Sequence, residues 1–416
     1  MMILKSHIIA LCLLLLIACG SEPNDPAGPG GNNGDAIEIG LLTTLSGPLS
    51  NLGPSHRQAV QMAVEEINAS GGVLGRPLAI AIADTETDPD RAVLGARELS
   101  ARDIVAIIGP TISSSTTRVA AEVTVPAGML MITPSATAAA ITYLEDDNLV
   151  WRTAGSDLFK GGIAARYAYD SGSRRVGLLF IDNSFGEGLA TEFTNQFEQL
   201  GGTMINSIPY PELTGTEAEA YDYRLHVESA LADKPDLIYL ITFSEDGIKI
   251  AIAADSYISA DYKPRVLAEL PPPEEQLQSV GIYQDMIGLE PQSPTSPDHT
   301  AFLENYQARY QATPELFAEA AYDALYLLAL AMEQAQSTAS VDITAHLQSV
   351  SLVGTKVGVG EFSRAAELIA QGQDIDYDGA SGAIDFDANG DITSGTFRVW
   401  KVEGDRFVDI DLITFP

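Results

Sequence analysis

Two short segments concentrate hydroxyl groups where an apolar run gives way to a helical pattern. "GPTISSSTTR", residues 109–118, follows "DIVAIIG"; "TPSATAAA", residues 133–140, completes "MLMIT". The N–H groups of a helix start, together with Ser and Thr hydroxyls, bind carboxylate or phosphate. Simple N-capping accounts for either loop taken alone. Two such loops on successive strands favour a shared anion site. A third loop, "TLSGPLSNLG" (44–53), occupies the equivalent place after an earlier apolar run.

A second candidate is "DFDANGD", 385–391, which matches positions 1, 3, 5 and 6 of a calcium-binding EF-hand loop. Position 12 would be Thr396, where a bidentate glutamate is needed. The flanks "GAIDF" and "TFRVWKV" are strand-like, and Asn-Gly between strands is a hairpin signal. The hairpin reading is preferred and no metal site is assigned. Nucleophilic and metal-assisted catalysis find little support. G-x-S-x-G, H-E-x-x-H and the P-loop are all absent, and His56, His226, His299 and His346 stand far apart in the chain. No cofactor motif is found.

These loops need elements to position them. "AIEIGLLT", "PLAIAIAD", "DIVAIIG", "MLMIT", "RRVGLLFID" and "DLIYLITF" have the continuous Ile/Leu/Val character of strands buried on both faces. Helical patterns separate them. Ala59, Val60, Ala63, Val64 and Ile67 recur at three-to-four spacing up to the helix stop "NASGG". "DPDRAVLGARELSAR" starts with acids that suit the helix dipole. Alternating β and α elements with short loops predict a doubly wound α/β architecture, whose ligands bind beyond the carboxyl ends of the strands. The rhythm runs to about residue 155 and restarts near 156, which predicts two lobes. Residues 298–351 are mainly helical in pattern, and "AEAAYDALYLLALAMEQA" is a core helix.

The chain has 416 residues, with 57 acidic against 23 basic side chains and a formal charge of −34. Such a surface repels nucleic acid and anionic headgroups. Lys5 and the apolar "IIALCLLLLIA" form a targeting segment too short for a comfortable span, ending in "LIAC". This pattern is similar to a bacterial lipoprotein signal. It predicts a signal peptide over 1–18, a lipid-modified Cys19 and a flexible linker over 19–35. Cys12 lies within the leader, so the mature chain keeps one cysteine and forms no internal disulfide.

The motifs "IGLLTTLSGPLSNLG", "AVEEINASGGVLGRPL", "DTETDP", "IIGPTISSSTT", "GMLMITPSATA" and "DNSFGEG" occur in an order and spacing that resembles the leucine/isoleucine/valine-binding protein family. These are substrate-binding components of ABC importers. The resemblance covers residues 36–416 and is strongest over 36–200. It implies a type I periplasmic binding-protein fold: two Rossmann-like lobes joined by a three-stranded hinge, closing over an amino acid. The implied division is lobe 1 over 36–155 and 292–384, lobe 2 over 156–291, and a final hinge crossing with a lobe 2 segment over 385–416.

The resemblance also implies site residues. Ser113 would donate to the ligand carboxylate. Thr137 would add a hydroxyl and a backbone N–H, with the adjoining Ala136 in the same binding loop, and the Ser135 carbonyl would accept from the ligand ammonium. Glu269 would neutralise that ammonium. Phe185 and Phe243 would cover the ligand from the second lobe, where relatives often carry tyrosine, and Leu52 would face it from the first. Some relatives join the "DTETDP" loop to the serine loop by a disulfide. Thr87 and Ile112 stand at those places, so hydrophobic packing is expected to hold the serine loop. Ser114, Ser115, Thr116 and Thr117 are expected to cap, pack or face solvent. The implied partners are an amino-acid-like ligand, ABC permease and ATPase subunits, and a bacterial membrane reached through Cys19. Signalling to a membrane receptor is the first alternative to import. A surface hydrolase is the second.

Overall fold

The computed structural model describes residues 36–415 except Pro273 and Ser279, with Glu275 described by its backbone alone. The predicted leader (1–18), Cys19 and the linker (19–35) lie outside the described residues. The described residues from Ala36 onward group as one compact unit.

The first sheet contains β1 (Ile37–Thr43), β2 (Leu78–Asp84), β3 (Ile104–Ile108), β4 (Leu130–Thr133) and β5 (Val150–Arg152). They lie in the order β2-β1-β3-β4-β5, all parallel. Side-chain alternation explains why these strands are apolar throughout. Ile37, Ile39 and Leu41 of β1, Ala106 and Ile108 of β3, and Leu130 and Ile132 of β4 enter one core. Leu42, Ile107 and Met131, from the same strands, enter the core on the opposite face. Helices Leu52–Ala69 and Ala318–Ala335 cover the first face, with the second helix buried along most of its length. Helix Pro89–Ser100 covers the other face. The Asp88 side chain caps that helix, accepting from the N–H groups of Asp90 and Arg91, and Pro89 supplies a preset first turn.

The second sheet adds β6 (Arg175–Asp182), β7 (Thr203–Pro211), β8 (Leu237–Ile241), β9 (Arg265–Ala268) and β10 (Ile287–Pro291). A small sheet follows, with β11 (Thr355–Val357), β12 (Ile375–Gly379) and β13 (Gly382–Ala383). The chain then returns to the second sheet as β14 (Gly395–Glu403) and β15 (Arg406–Phe415). The second sheet's order is β15-β14-β10-β9-β8-β6-β7; it is parallel from β7 to β10 and antiparallel at β14 and β15.

The two sheets form the centres of two lobes. Phe302, Tyr306, Tyr322, Phe362, Tyr377 and Phe386 all enter the first lobe's core, so the chain returns there after β10. It therefore crosses between lobes in three places: after Arg152, after Pro291 and before Gly395. "GAIDF" contains only the short β13 and an antiparallel bridge from Phe386 to Ile392.

Candidate functional site

The loops after β1, β3 and β4 meet at one end of the first sheet. Asp84, at the end of β2, holds the first of them. It accepts from Leu45 N–H at 2.8 Å and from the Ser46 hydroxyl at 2.7 Å. Burial works against its charge, but these bonds and one from Glu86 N–H outweigh it, and the carboxyl stays below its ordinary range. Gly47, at φ 85°, lies against the Glu86 carbonyl, where a Cβ would sit 2.1 Å from oxygen; only glycine fits. Leu52 opens the following helix half-buried.

The serine loop is held by hydrogen bonds as well as by the buried Ile112, which corrects the expectation of hydrophobic packing alone. Thr133 Oγ1 donates to the Pro110 carbonyl and Ser135 Oγ to the Thr111 carbonyl, each at 2.8 Å. Thr87 instead stitches the first loop, accepting from Leu49 N–H and donating to the Ser46 carbonyl. Ser113 is the first residue of helix Ser113–Val119 and is buried. Its Oγ accepts from Ala138 N–H at 3.1 Å. That contact uses a lone pair and leaves the Ser113 proton free to donate. Ala136 is fully buried, and its N–H donates to Thr133 Oγ1. Thr137 donates through Oγ1 to Asp157 at 2.9 Å, and its carbonyl accepts from Asp157 N–H.

In the second lobe Phe185 and Phe243 stack at 6.0 Å with 7° between their planes. Each follows a strand and starts a helix. The Asn183 side chain caps the first of these helices, accepting from the N–H groups of Phe185 and Gly186. Glu269 follows β9 and is 1% exposed. The resemblance implied that it would neutralise a ligand ammonium, but here it already faces a cation of the protein. The Tyr239 hydroxyl donates to Oε1, and the Lys160 ammonium is in ion-pair contact with Oε2. Burial opposes the charge on Lys160, but Glu269 and Asp157 outweigh it and raise its pKa. Nothing in "DLFKGG" marks Lys160 as a site residue, because its partner is more than 100 positions away.

Direct bonds join the lobes. Ser114, for which capping, packing or facing solvent was expected, donates through Oγ to Glu212 Oε1 at 2.8 Å. Asn183 Nδ2 donates to the same oxygen at 2.8 Å. Thr214 donates to Asp88 at 3.2 Å. A cavity of about 600 Å³ lies at the three crossings, lined by residues including Thr153, Gly155, Glu290, Thr396 and Phe397. None of the predicted ligand residues lines it.

The "DFDANGD" segment is a turn closed by the Phe386–Ile392 bridge, with Gly390 at φ 76°. Its last carboxylate is occupied. Asp391 accepts from Arg152 Nε and Nη2 and from the Thr142 hydroxyl, and Arg152 itself is fully buried. Asp387 accepts from the N–H groups of Asn389 and Asp391. Among the described residues no group of three or more His, Cys, Asp or Glu side chains is arranged to hold a metal ion. His56 and His299 contact the backbone carbonyls of Leu316 and Ala380. His226 lies beside Tyr221 and His346 beside Ser349, so the histidines form no common site.

Two α/β lobes on mainly parallel sheets, three crossings between them and hydroxyl-bearing loops at the strand ends are the architecture of a two-lobed α/β solute-binding protein. The family model for "Periplasmic binding protein" matches residues 36–406, and the chain belongs to this family. It is 30% identical over 368 residues to a chemotactic signal transduction system substrate-binding protein, BasB, of Halobacterium salinarum, covering 85% of this chain and 84% of the relative. It is 25% identical over 372 residues to a leucine-, isoleucine-, valine-, threonine- and alanine-binding protein of Pseudomonas aeruginosa, covering 88% and 90%. Its fold is similar to that of a leucine-binding protein, LivK, of Thermotoga maritima. The TM-score is 0.73 at 22% identity, over 91% of this chain and 99% of that one. Among the described residues no helix is long and apolar enough to cross a membrane.

Proposed function

We propose that this protein captures a branched-chain or related amino acid between its lobes outside the cytoplasm and delivers it to an ABC importer. One observation carries the reading: the Ser113 hydroxyl is fixed by Ala138 N–H with its own proton free, at a helix start beyond the strand ends. A carboxylate accepts from such a donor, and charge-assisted bonds in a closed, water-poor cleft hold a small zwitterion. Phe185 and Phe243 give the second lobe an apolar surface suited to an aliphatic or aromatic side chain. The names of the Pseudomonas relative and the Thermotoga structure support the ligand class. Closure follows from bending at the crossings, with contacts from both lobes favouring the closed state. The lobe divisions at 155/156, 291/292 and 384/385 and the anchoring through Cys19 belong to the same proposal. The protein binds and delivers; ATP is used by partner subunits.

A thermal-shift panel of amino acids, amides and simple carboxylates tests the reading. Stabilisation by aliphatic or aromatic amino acids is expected. A panel in which no amino acid raises the melting point overturns it. The Halobacterium relative favours a second reading, in which the closed form signals to a membrane receptor. Neighbouring genes for a permease and ATPase favour import; a neighbouring transducer gene without them favours sensing.

A further inference from the structure

Three charged side chains meet at the seam between the lobes: Asp157, Lys160 and Glu269. Asp157 and Lys160 lie on the first turn of helix Asp157–Asp170, and Glu269 follows β9. All three are buried. Tyr239 donates to one Glu269 oxygen, and the other, which has no hydrogen bond, is in ion-pair contact with the Lys160 ammonium, so the charge of Glu269 is balanced. Arg152, the nearby cation from β5, is matched by Asp391. Asp157 is the member left over. Thr137 donates to its Oδ2, while its Oδ1 is buried with no hydrogen-bond partner. With all three ionised, two carboxylates and one ammonium leave a single negative charge. That is the complement of one cation, and a buried carboxylate oxygen without a donor is costly until one arrives.

We infer that Asp157 is the carboxylate that receives the ligand's ammonium group, with Lys160 serving as the internal counter-ion of Glu269. The inference rests on the amino-acid reading above and assigns the cation contact within it. Lys160 turns Glu269 into a neutral pair and thereby moves the cation site to Asp157. Thr137, from the first lobe, orients the Asp157 carboxylate as the lobes meet. Burial, reinforced by Glu269 and opposed by Lys160 and Arg152, pushes the Asp157 carboxyl up to about 6. A bound ammonium stabilises the ionised form, so ligand capture near that pH releases a proton. Affinity for an amine-bearing ligand therefore falls as pH drops below about 6 and levels off above it.

Calorimetry with two pairs of probes tests this: leucine against 4-methylpentanoate, and phenylalanine against 3-phenylpropanoate. Each pair differs only in the amine. In the wild type the amino acid should lose about tenfold in affinity between about pH 7 and about pH 5, with proton release, while the deaminated acid changes far less. Asp157→Asn should weaken the amino acid by roughly 10- to 150-fold at neutral pH, the range of one hydrogen bond to a charged group. It should leave the deaminated acid nearly unchanged. If amino acids bind the wild type without pH dependence and Asp157→Asn leaves them unaffected, the inference is overturned and the amino-acid reading stands. If no amino acid binds, both fall. If Asp157→Asn does not fold, the wild-type pH series alone decides.

Discussion

Ser114 Oγ of the first lobe donates to Glu212 Oε1 of the second at 2.8 Å, and Asn183 donates to the same oxygen. This bond exists only while the lobes are together. Burial raises the Glu212 pKa, against the opposing effect of its two donors. On closure the carboxylate therefore gains the hydrogen bond from Ser114, adding to the one Asn183 gives it within its own lobe, but loses hydration.

Replacing Glu212 separates these effects. Glu212→Ala removes the acceptor and should weaken ligand binding by about 1–2 kcal/mol, because closure loses a hydrogen bond. Glu212→Gln keeps an oxygen for Ser114 and Asn183 without a charge to desolvate. It should bind as tightly as the wild type, or tighter. Scattering measurements with and without ligand should show the Ala variant more open. Equal affinities in all three proteins would remove this bond from the closing equilibrium.

Ser113→Ala should weaken a carboxylate ligand by about 1.5–3 kcal/mol, the range for a hydrogen bond to a charged group. The variant also removes the acceptor for Ala138 N–H, so a small loss of thermal stability accompanies it. Titration with the ligand from the thermal-shift panel reads the effect. An unchanged dissociation constant would exclude Ser113 from the site.

Arg152 and Asp391 form a buried ion pair that ties β5 to the turn before the last crossing. Asp391→Ala leaves the guanidinium buried without its counter-charge and should cost about 3–5 kcal/mol in urea unfolding. Because Asp391 is already engaged by Arg152 and Thr142, calcium should leave the wild-type melting temperature unchanged. A rise on adding calcium, reversed by chelator, would show that the turn takes the ion instead.

Much of this protein was legible in its sequence because the information was local. Runs such as "IVAII" and "LIYLI" are strands, since a parallel strand covered on both faces must be apolar throughout. The start of the helix at Ser113 and the buried helix Ala318–Ala335 were also local facts. The hydroxyl loops could be placed at strand ends for the same reason. β7, with the mixed sequence "TMINSIPYP", and the antiparallel pair β14 and β15 were less legible as members of the second sheet. Sheet order depends on pairing between distant segments, which no local pattern encodes.

The site divides in the same way. The sequence by itself determined which loops carry hydroxyls, and its resemblance to a known family singled out Phe185, Phe243 and Glu269. Only the tertiary structure decided what each carboxylate faces. Lys160 reaches Glu269, Ser114 reaches Glu212, and Asp391 reaches Arg152 across separations of 98 to 239 residues. A residue's type sets the charge and hydrogen bonds it can offer. Which of those remain free for a ligand is set by the partners that folding brings within about 3 Å, the reach of a hydrogen bond.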